Sequence, residues 1–301
     1  MNKRGCWIGN VWLMALMVSA PSAMAGYPTF TCAYEKDHLP LLDAEADAWY
    51  KEALSLTKRQ YEIRGSVRQD ILALYHKAAA RDHWKAMHNL AGLYRTGWPG
   101  ALDKDPQKAL DLYERMVQLG IPQGFYDMGA MIGNRNGVTN PETEGLTYLD
   151  KAAQLGNPAA QLRLGQIYIY ELKEDGLGLK YVNCSAEQNY AEAYYELGMY
   201  YNIKGNFPLA VRNHQMAVSL GHGTSAMILE GAFDKRTPPH LAFYYAPDEK
   251  LKELYGRINA QLEADPDLRF PNLLKDHPLP PHPTQGYDAD KPIDWKPDEL
   301  K

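Results

Sequence analysis

Cysteine is scarce in this chain, with three in 301 residues. No Cys-x-x-Cys pair occurs among them, which leaves thiol-exchange chemistry without its usual motif. Phenylalanine is short too, at six, while tyrosine reaches 21 and tryptophan six. That balance suits half-buried surfaces with one wet end. Positive charge is in deficit: 32 Lys and Arg stand against 37 Asp and Glu, a net charge of −5 with no basic run. Binding driven by nucleic-acid phosphates is thereby disfavoured. Catalytic signatures are missing as well. There is no Gly-x-Ser-x-Gly elbow, no phosphate loop and no Rossmann glycine set. The nine histidines include no His-x-x-x-His or comparable metal spacing. What is present, 45% hydrophobic and 23% charged residues, is the composition of a folded protein.

The first 25 residues read as an export signal. Lys3 and Arg4 precede an apolar core from Val11 to Val18, and Ala23-Met24-Ala25 forms a small-x-small site before Gly26. A spanning helix needs about 20 apolar residues, so the core is too short for an anchor. Thr29-Phe30-Thr31 before Cys32 also lacks the small residue that lipid attachment requires. Cleavage after Ala25 removes two cations and takes the net charge from −5 to −7. The expected compartment is the periplasm. Cys32 and Cys184 then face an oxidising environment, which favours a disulfide between them. The alternative is two unpaired thiols, one of them buried in a helix.

A repeat runs through the rest. Leu90-Ala91-Gly92-Leu93-Tyr94, Met128-Gly129-Ala130-Met131-Ile132, Leu164-Gly165-Gln166-Ile167-Tyr168 and Leu197-Gly198-Met199-Tyr200-Tyr201 each carry a small residue flanked by apolar slots. Nine residues before each small residue stands a turn former: Asp82, Gly120, Gly156 and Asn189. A weaker fifth copy places Gly221 nine before Glu230. The turn positions are 38, 36, 33 and 32 residues apart, the period of paired-helix solenoids. Each unit is expected to have a first helix carrying the small residue, a loop, and a second helix ending at the turn former. Asp105-Pro106 and Asn140-Pro141 mark second-helix starts. The loops are placed at residues such as Gly133 to Asn140 and Lys173 to Gly178.

Flanking segments read as caps. Asp43 to Gln60 is expected to be helical, and Ser66 to Arg81 follows, opened by a Ser66 and Gln69 capping box. The repeat register is lost after Phe233, and Asp248 to Ala264 forms a last amphipathic helix. Residues 266 to 297 hold eight prolines yet keep Phe270, Leu273, Leu274, Tyr287, Ile293 and Trp295. Those apolar anchors predict a tail lying extended along the solenoid. The divisions are therefore 1–25, 26–65, 66–233 and 234–301.

The Leu-Gly-x-x-Tyr core at Leu164 to Tyr168 and the Lys-Ala-Ala-x-x-Gly close at Lys151 to Gly156 resemble the Sel1-like repeats, relatives of tetratricopeptide repeats. The resemblance covers residues 66 to 233 and implies an all-α, right-handed α-solenoid of about five helix-pair repeats, with a helical N-cap and an extended Pro-rich C-terminal segment. By analogy with tetratricopeptide geometry, Lys85, His88, Arg95, Tyr126, Asn134, Gln166, Tyr170, Tyr195 and Asn202 fall on the concave side as partner-binding candidates. The mature N-terminal stretch and the proline-rich end are similar to exported members that act as periplasmic immunity proteins to type VI secretion phospholipase effectors. The resemblance thus implies a protein partner, no catalytic residue, no cofactor, no metal, no nucleic acid and no stable membrane anchor. An envelope regulatory adaptor and a cell-wall or β-lactam hydrolase are the alternatives. The members tied to β-lactams are cysteine-rich, which this chain is not.

Overall fold

The computed structural model describes residues 30–58, 67–133 and 141–282. The signal segment, Ser66, Asn134, Asn140, Tyr287, Ile293 and Trp295 lie outside the described residues. Two helices, α1 (Ala44–Lys58) and α2 (Val67–Ala79), open the stack. Helix pairs follow: α3 (Trp84–Thr96) with α4 (Pro106–Gln118), then α5 (Pro122–Gly133) with α6 (Pro141–Gln154). Next come α7 (Pro158–Gln166) with α8 (Asp175–Glu187), and α9 (Ala191–Ile203) with α10 (Phe207–Ser219). Helix α7 runs on as a wider π-turn, Ile167–Glu171. Helices α11 (Gly223–Phe233), α12 (Glu249–Ala264) and the short α13 (Leu273–Asp276) close the chain. The described residues form no strand.

The nine-residue ruler has a conformational basis. Asp82, Gly120, Gly156, Asn189 and Gly221 all have positive φ, between 58° and 88°. Each turns the chain from one second helix into the next first helix. Glycine and asparagine reach this left-handed region at little cost, and aspartate tolerates it. Prolines then open several helices just after a capping side chain. Asp105 accepts from the Lys108 amide at 3.1 Å, and Asn157 from that of Ala160 at 2.9 Å.

The small residue of the first helix meets the second helix of its own pair. A Cβ built on Gly165 would lie 2.5 Å from Val182 Cγ2 and 2.9 Å from the Gly178 carbonyl oxygen. One built on Gly178 would lie 2.8 Å from the Gly165 oxygen. The α7 and α8 backbones therefore cross glycine on glycine. This corrects the expected Lys173 to Gly178 loop, because α8 already begins at Asp175. Gly178 serves close packing inside a helix and makes no turn.

Ser66 of the expected capping box lies outside the described residues; the Gln69 amide donates to the Ala101 carbonyl at 3.0 Å. After Phe233 a longer connection leads to α12, which packs on α11 as the second helix of a further pair. Phe233 is fully buried there, with its ring 6.0 Å from that of Tyr255 and 5.6 Å from that of Tyr245. Extra chain in a surface connection costs little closure entropy, so the pair survives the insertion.

Both ends of the described residues lie back on the stack. At the front, Cys32 and Cys184 form a disulfide, with Cα atoms 5.6 Å apart. The Phe30 ring sits 4.3 Å from that of Tyr181, and Gln161 donates to the Ala33 carbonyl at 2.8 Å. The segment then crosses the turn at Gly156, where a Cβ would fall 2.4 Å from the Glu35 nitrogen. At the back, the Phe270 amide donates to the Ser219 carbonyl at 2.8 Å and Gln215 donates to that of His277 at 2.8 Å. Residues up to His282 thus lie along α10. The two flanking segments meet where Lys58, at the end of α1, pairs with Asp267, just past α12.

Candidate functional site

The first helices of successive pairs stand side by side, and polar side chains join them. His88 of α3 meets Asp127 of α5, Nδ1 to Oδ2 at 2.6 Å. Gln123, also on α5, donates to the other Asp127 oxygen at 2.9 Å. Asn157, which caps α7, donates both to Gln123 at 3.1 Å and to Glu35 of the N-terminal segment at 2.9 Å. The Asp127 bond raises the His88 pKa above its ordinary value, so the imidazolium form is favoured. Burial pushes the Glu35 carboxyl up, offset in part by Asn157, Lys85 and His88.

The same wall continues from α7 to α11. Gln166 donates to Glu196 Oε2 at 2.6 Å, and the Tyr170 hydroxyl donates to Oε1 at 2.5 Å. Burial, then the Glu196 bond, raises the Tyr170 pKa, so the phenol stays a donor. The Tyr195 ring stacks on His222 at 4.7 Å, and His222 caps α11 by accepting from the Ser225 amide. Of the predicted partner residues, His88, Gln166, Tyr170 and Tyr195 are thus inter-repeat latches as well as surface groups. Lys85 and Arg95 are exposed, while Tyr126 and Asn202 are half-buried on the same wall. Asn134 lies outside the described residues.

Sequence reasoning missed Asp127 and Glu196, both buried. They occupy one register position, two residues before the small residue, where pair one has Asn89 and pair three has Arg163. A polar residue recurring on an otherwise apolar stripe was the available signal.

One member of the wall's support titrates. His214 of α10 is fully buried; its Nδ1 is 3.1 Å from Ser225 Oγ and its Nε2 has no partner among the described residues. Tyr195 and Phe243 flank the ring. Burial, then the charge of His222, lowers its pKa from 6.5 to about 4. The neutral ring is favoured in the fold, so its contribution is complete above pH 6.5. It declines as pH falls towards 4, where the folded ring itself takes the proton. About 2 kcal/mol of stability should be lost between pH 7 and pH 5 from this residue. Urea unfolding at the two pH values checks it, and His214→Gln should flatten the slope. An unchanged slope in that variant would assign the pH dependence elsewhere.

The described residues bring no three metal-ligating side chains together. None of their helices is long and apolar enough to cross a membrane. A cleft of about 570 Å³ between α2 and α4 is walled by His76, Tyr94, Leu112 and Arg115. Its arginine is held by Asp82 through two bonds of 2.9 and 2.7 Å.

Sel1 repeats match the chain at residues 84–121, 126–157, 158–190 and 191–222, the four helix pairs from α3 to α10. The chain belongs to the Sel1 repeat family. The four matched Sel1 units span the latched wall from His88 to His222. The structure of the immunity protein Pa5087 from Pseudomonas aeruginosa is similar at 58% identity and a TM-score of 0.77. The alignment covers 89% of this chain and 100% of that one. The immunity protein PA5088 of the same organism is 59% identical with a TM-score of 0.79, over 88% and 99% of the two chains. PA5086, also from Pseudomonas aeruginosa, is 60% identical with a TM-score of 0.75, over 87% and 99%. No curated protein matches this chain.

Proposed function

We propose that this Sel1 protein is a periplasmic immunity protein that binds a toxin and neutralises it without chemistry of its own. The observation that carries the reading is its likeness to two immunity proteins at 58 and 59% identity across nearly their full length. The latched wall supports it physically. Hydrogen bonds between successive first helices fix their side chains before a partner arrives, which reduces the entropy lost on binding. The export signal at residues 1–25 supplies the route to the periplasm. The toxin in this reading is a phospholipase effector of a type VI secretion system, a lipid-seeking enzyme whose active mouth the solenoid covers. Net negative charge on the mature chain would speed encounter with a basic face of such a toxin.

The test is protection in cells. A type VI secretion phospholipase effector is directed to the periplasm of a sensitive host, with or without this protein. Full-length protein is expected to restore growth and to co-purify with the effector. A version lacking residues 2–25 should fail to protect, because it stays on the wrong side of the membrane. Growth arrest despite abundant periplasmic protein would overturn the reading.

A further inference from the structure

On α9, Glu192, Glu196 and Ile203 follow a spacing of four and seven residues, which places them on one stripe of the helix. Glu196 is 8% exposed, and both its oxygens are held by neutral donors, Gln166 and Tyr170. No lysine or arginine among the described residues forms an ion pair with Glu192 or Glu196. A carboxylate withdrawn from water without a cation is costly, yet here it is oriented by two short bonds. Below it the stripe turns apolar. Ile203 is 67% exposed, Leu172 52% and Tyr170 40%. Asp175 joins the end of α9 to the segment that follows Leu172. It accepts from the Tyr200 hydroxyl at 2.9 Å and pairs with Lys204 at 2.8 Å.

Isolated exposed apolar residues are ordinary on protein surfaces; here Ile203, Leu172 and Tyr170 are exposed at the ends of two segments that the Tyr170 to Glu196 bond joins. Charge also differs along the wall. Lys85 and Arg95 stand exposed on α3, whereas α9 presents Glu192 and Glu196 and no cation before Lys204.

We infer that the α9 stripe, with Tyr170 and Leu172 beside it, is the docking surface for a basic segment of the protein partner, one that sets Lys or Arg against the two glutamates and an apolar side chain against Ile203. The inference rests on the immunity reading, and the partner in question is the toxin. Glu192 and Ile203 are about 16 Å apart along the helix, so three turns of a partner helix, basic at one end and apolar at the other, match the stripe. A cation arriving at Glu196 finds a carboxylate already desolvated and held, which makes the pair charge-assisted.

The experiment uses the mature protein and the phospholipase effector against which it protects cells, with binding followed by calorimetry and by association kinetics at two salt concentrations. Glu192→Lys and Ile203→Asp change exposed positions, so helical content and melting should be those of the parent. Each is expected to weaken binding at least tenfold, and the double variant at least a hundredfold. Glu192→Lys should also slow association and flatten its salt dependence. A Lys→Glu or Arg→Glu change in the effector should restore binding to Glu192→Lys. Asp111→Lys on α4, away from the stripe, should bind normally. A double variant that binds within threefold of the parent overturns the inference while leaving the immunity reading intact. So does a finding that the stripe is covered by a second copy, seen as a dimer of this protein alone that Ile203→Asp dissociates. Parent protein that neither binds nor protects against the effector overturns the immunity reading and this inference with it.

Discussion

Replacing Cys184 with serine is expected to cost 3–5 kcal/mol of stability, on the order of what a bond closing so long a loop contributes. Cys32 and Cys184 are 152 residues apart, and in the chain-entropy account the unfolded state loses most freedom when the closed loop is long. The folded state loses a strap. Tyr34 donates to Glu187 at 2.7 Å and the Glu35 amide to Gln188 at 2.8 Å, so the segment keeps contacts without the bond. Those contacts are partly exposed and weak one at a time. The variant should therefore unfold at lower urea, and protease should clip it ahead of Leu39. Reductant added to the parent protein should reproduce both effects. Equal urea midpoints for oxidised and reduced protein would show that the covalent tie contributes nothing. Because Glu35 enters the polar wall through Asn157, loss of the strap should also loosen the His88, Asp127 and Gln123 cluster.

Gly165→Leu is expected to destabilise by roughly 3 kcal/mol or more, through forced separation of α7 and α8. The obstruction is backbone, the Gly178 carbonyl at 2.9 Å, and no rotamer change relieves it. Gly92→Ala on α3 is the control. Nothing lies within 4 Å of a Cβ built there, so alanine should stabilise by about 0.5–1 kcal/mol through helix propensity and the unfolded state. Two helical glycines one position apart in the repeat thus have opposite expected signs. Melting followed by circular dichroism decides the matter. A small effect at Gly165 would mean that the helices can part, and that the repeat ruler does not mark close packing.

Much of the fold is legible along the chain because its causes are local. The left-handed turns at Asp82, Gly120, Gly156, Asn189 and Gly221 need particular residue types, and such needs recur with the repeat. Proline after a capping aspartate or asparagine marks a helix start whatever surrounds it. Gly178 was misread for the same reason: taken by itself, a glycine after a charged stretch looks like a turn. Only the crossing of α7 with α8 shows that it clears space. Likewise Phe233 carries no sign that α12 will close a fifth pair, since the connection between them has no period.

The wall was less legible. Its candidates follow from helix spacing, but whether His88 finds Asp127, or Tyr170 finds Glu196, depends on how each pair is rotated on the one before. A carboxylate on a helix surface has the same sequence signature whether water or a tyrosine satisfies it. Residue type and period alone determined that this chain is a stack of helix pairs with its turns at five named positions. Tertiary structure decided which polar groups lock the stack and where the N-terminal strap crosses it, because those outcomes depend on distances between segments that no interval along the sequence specifies.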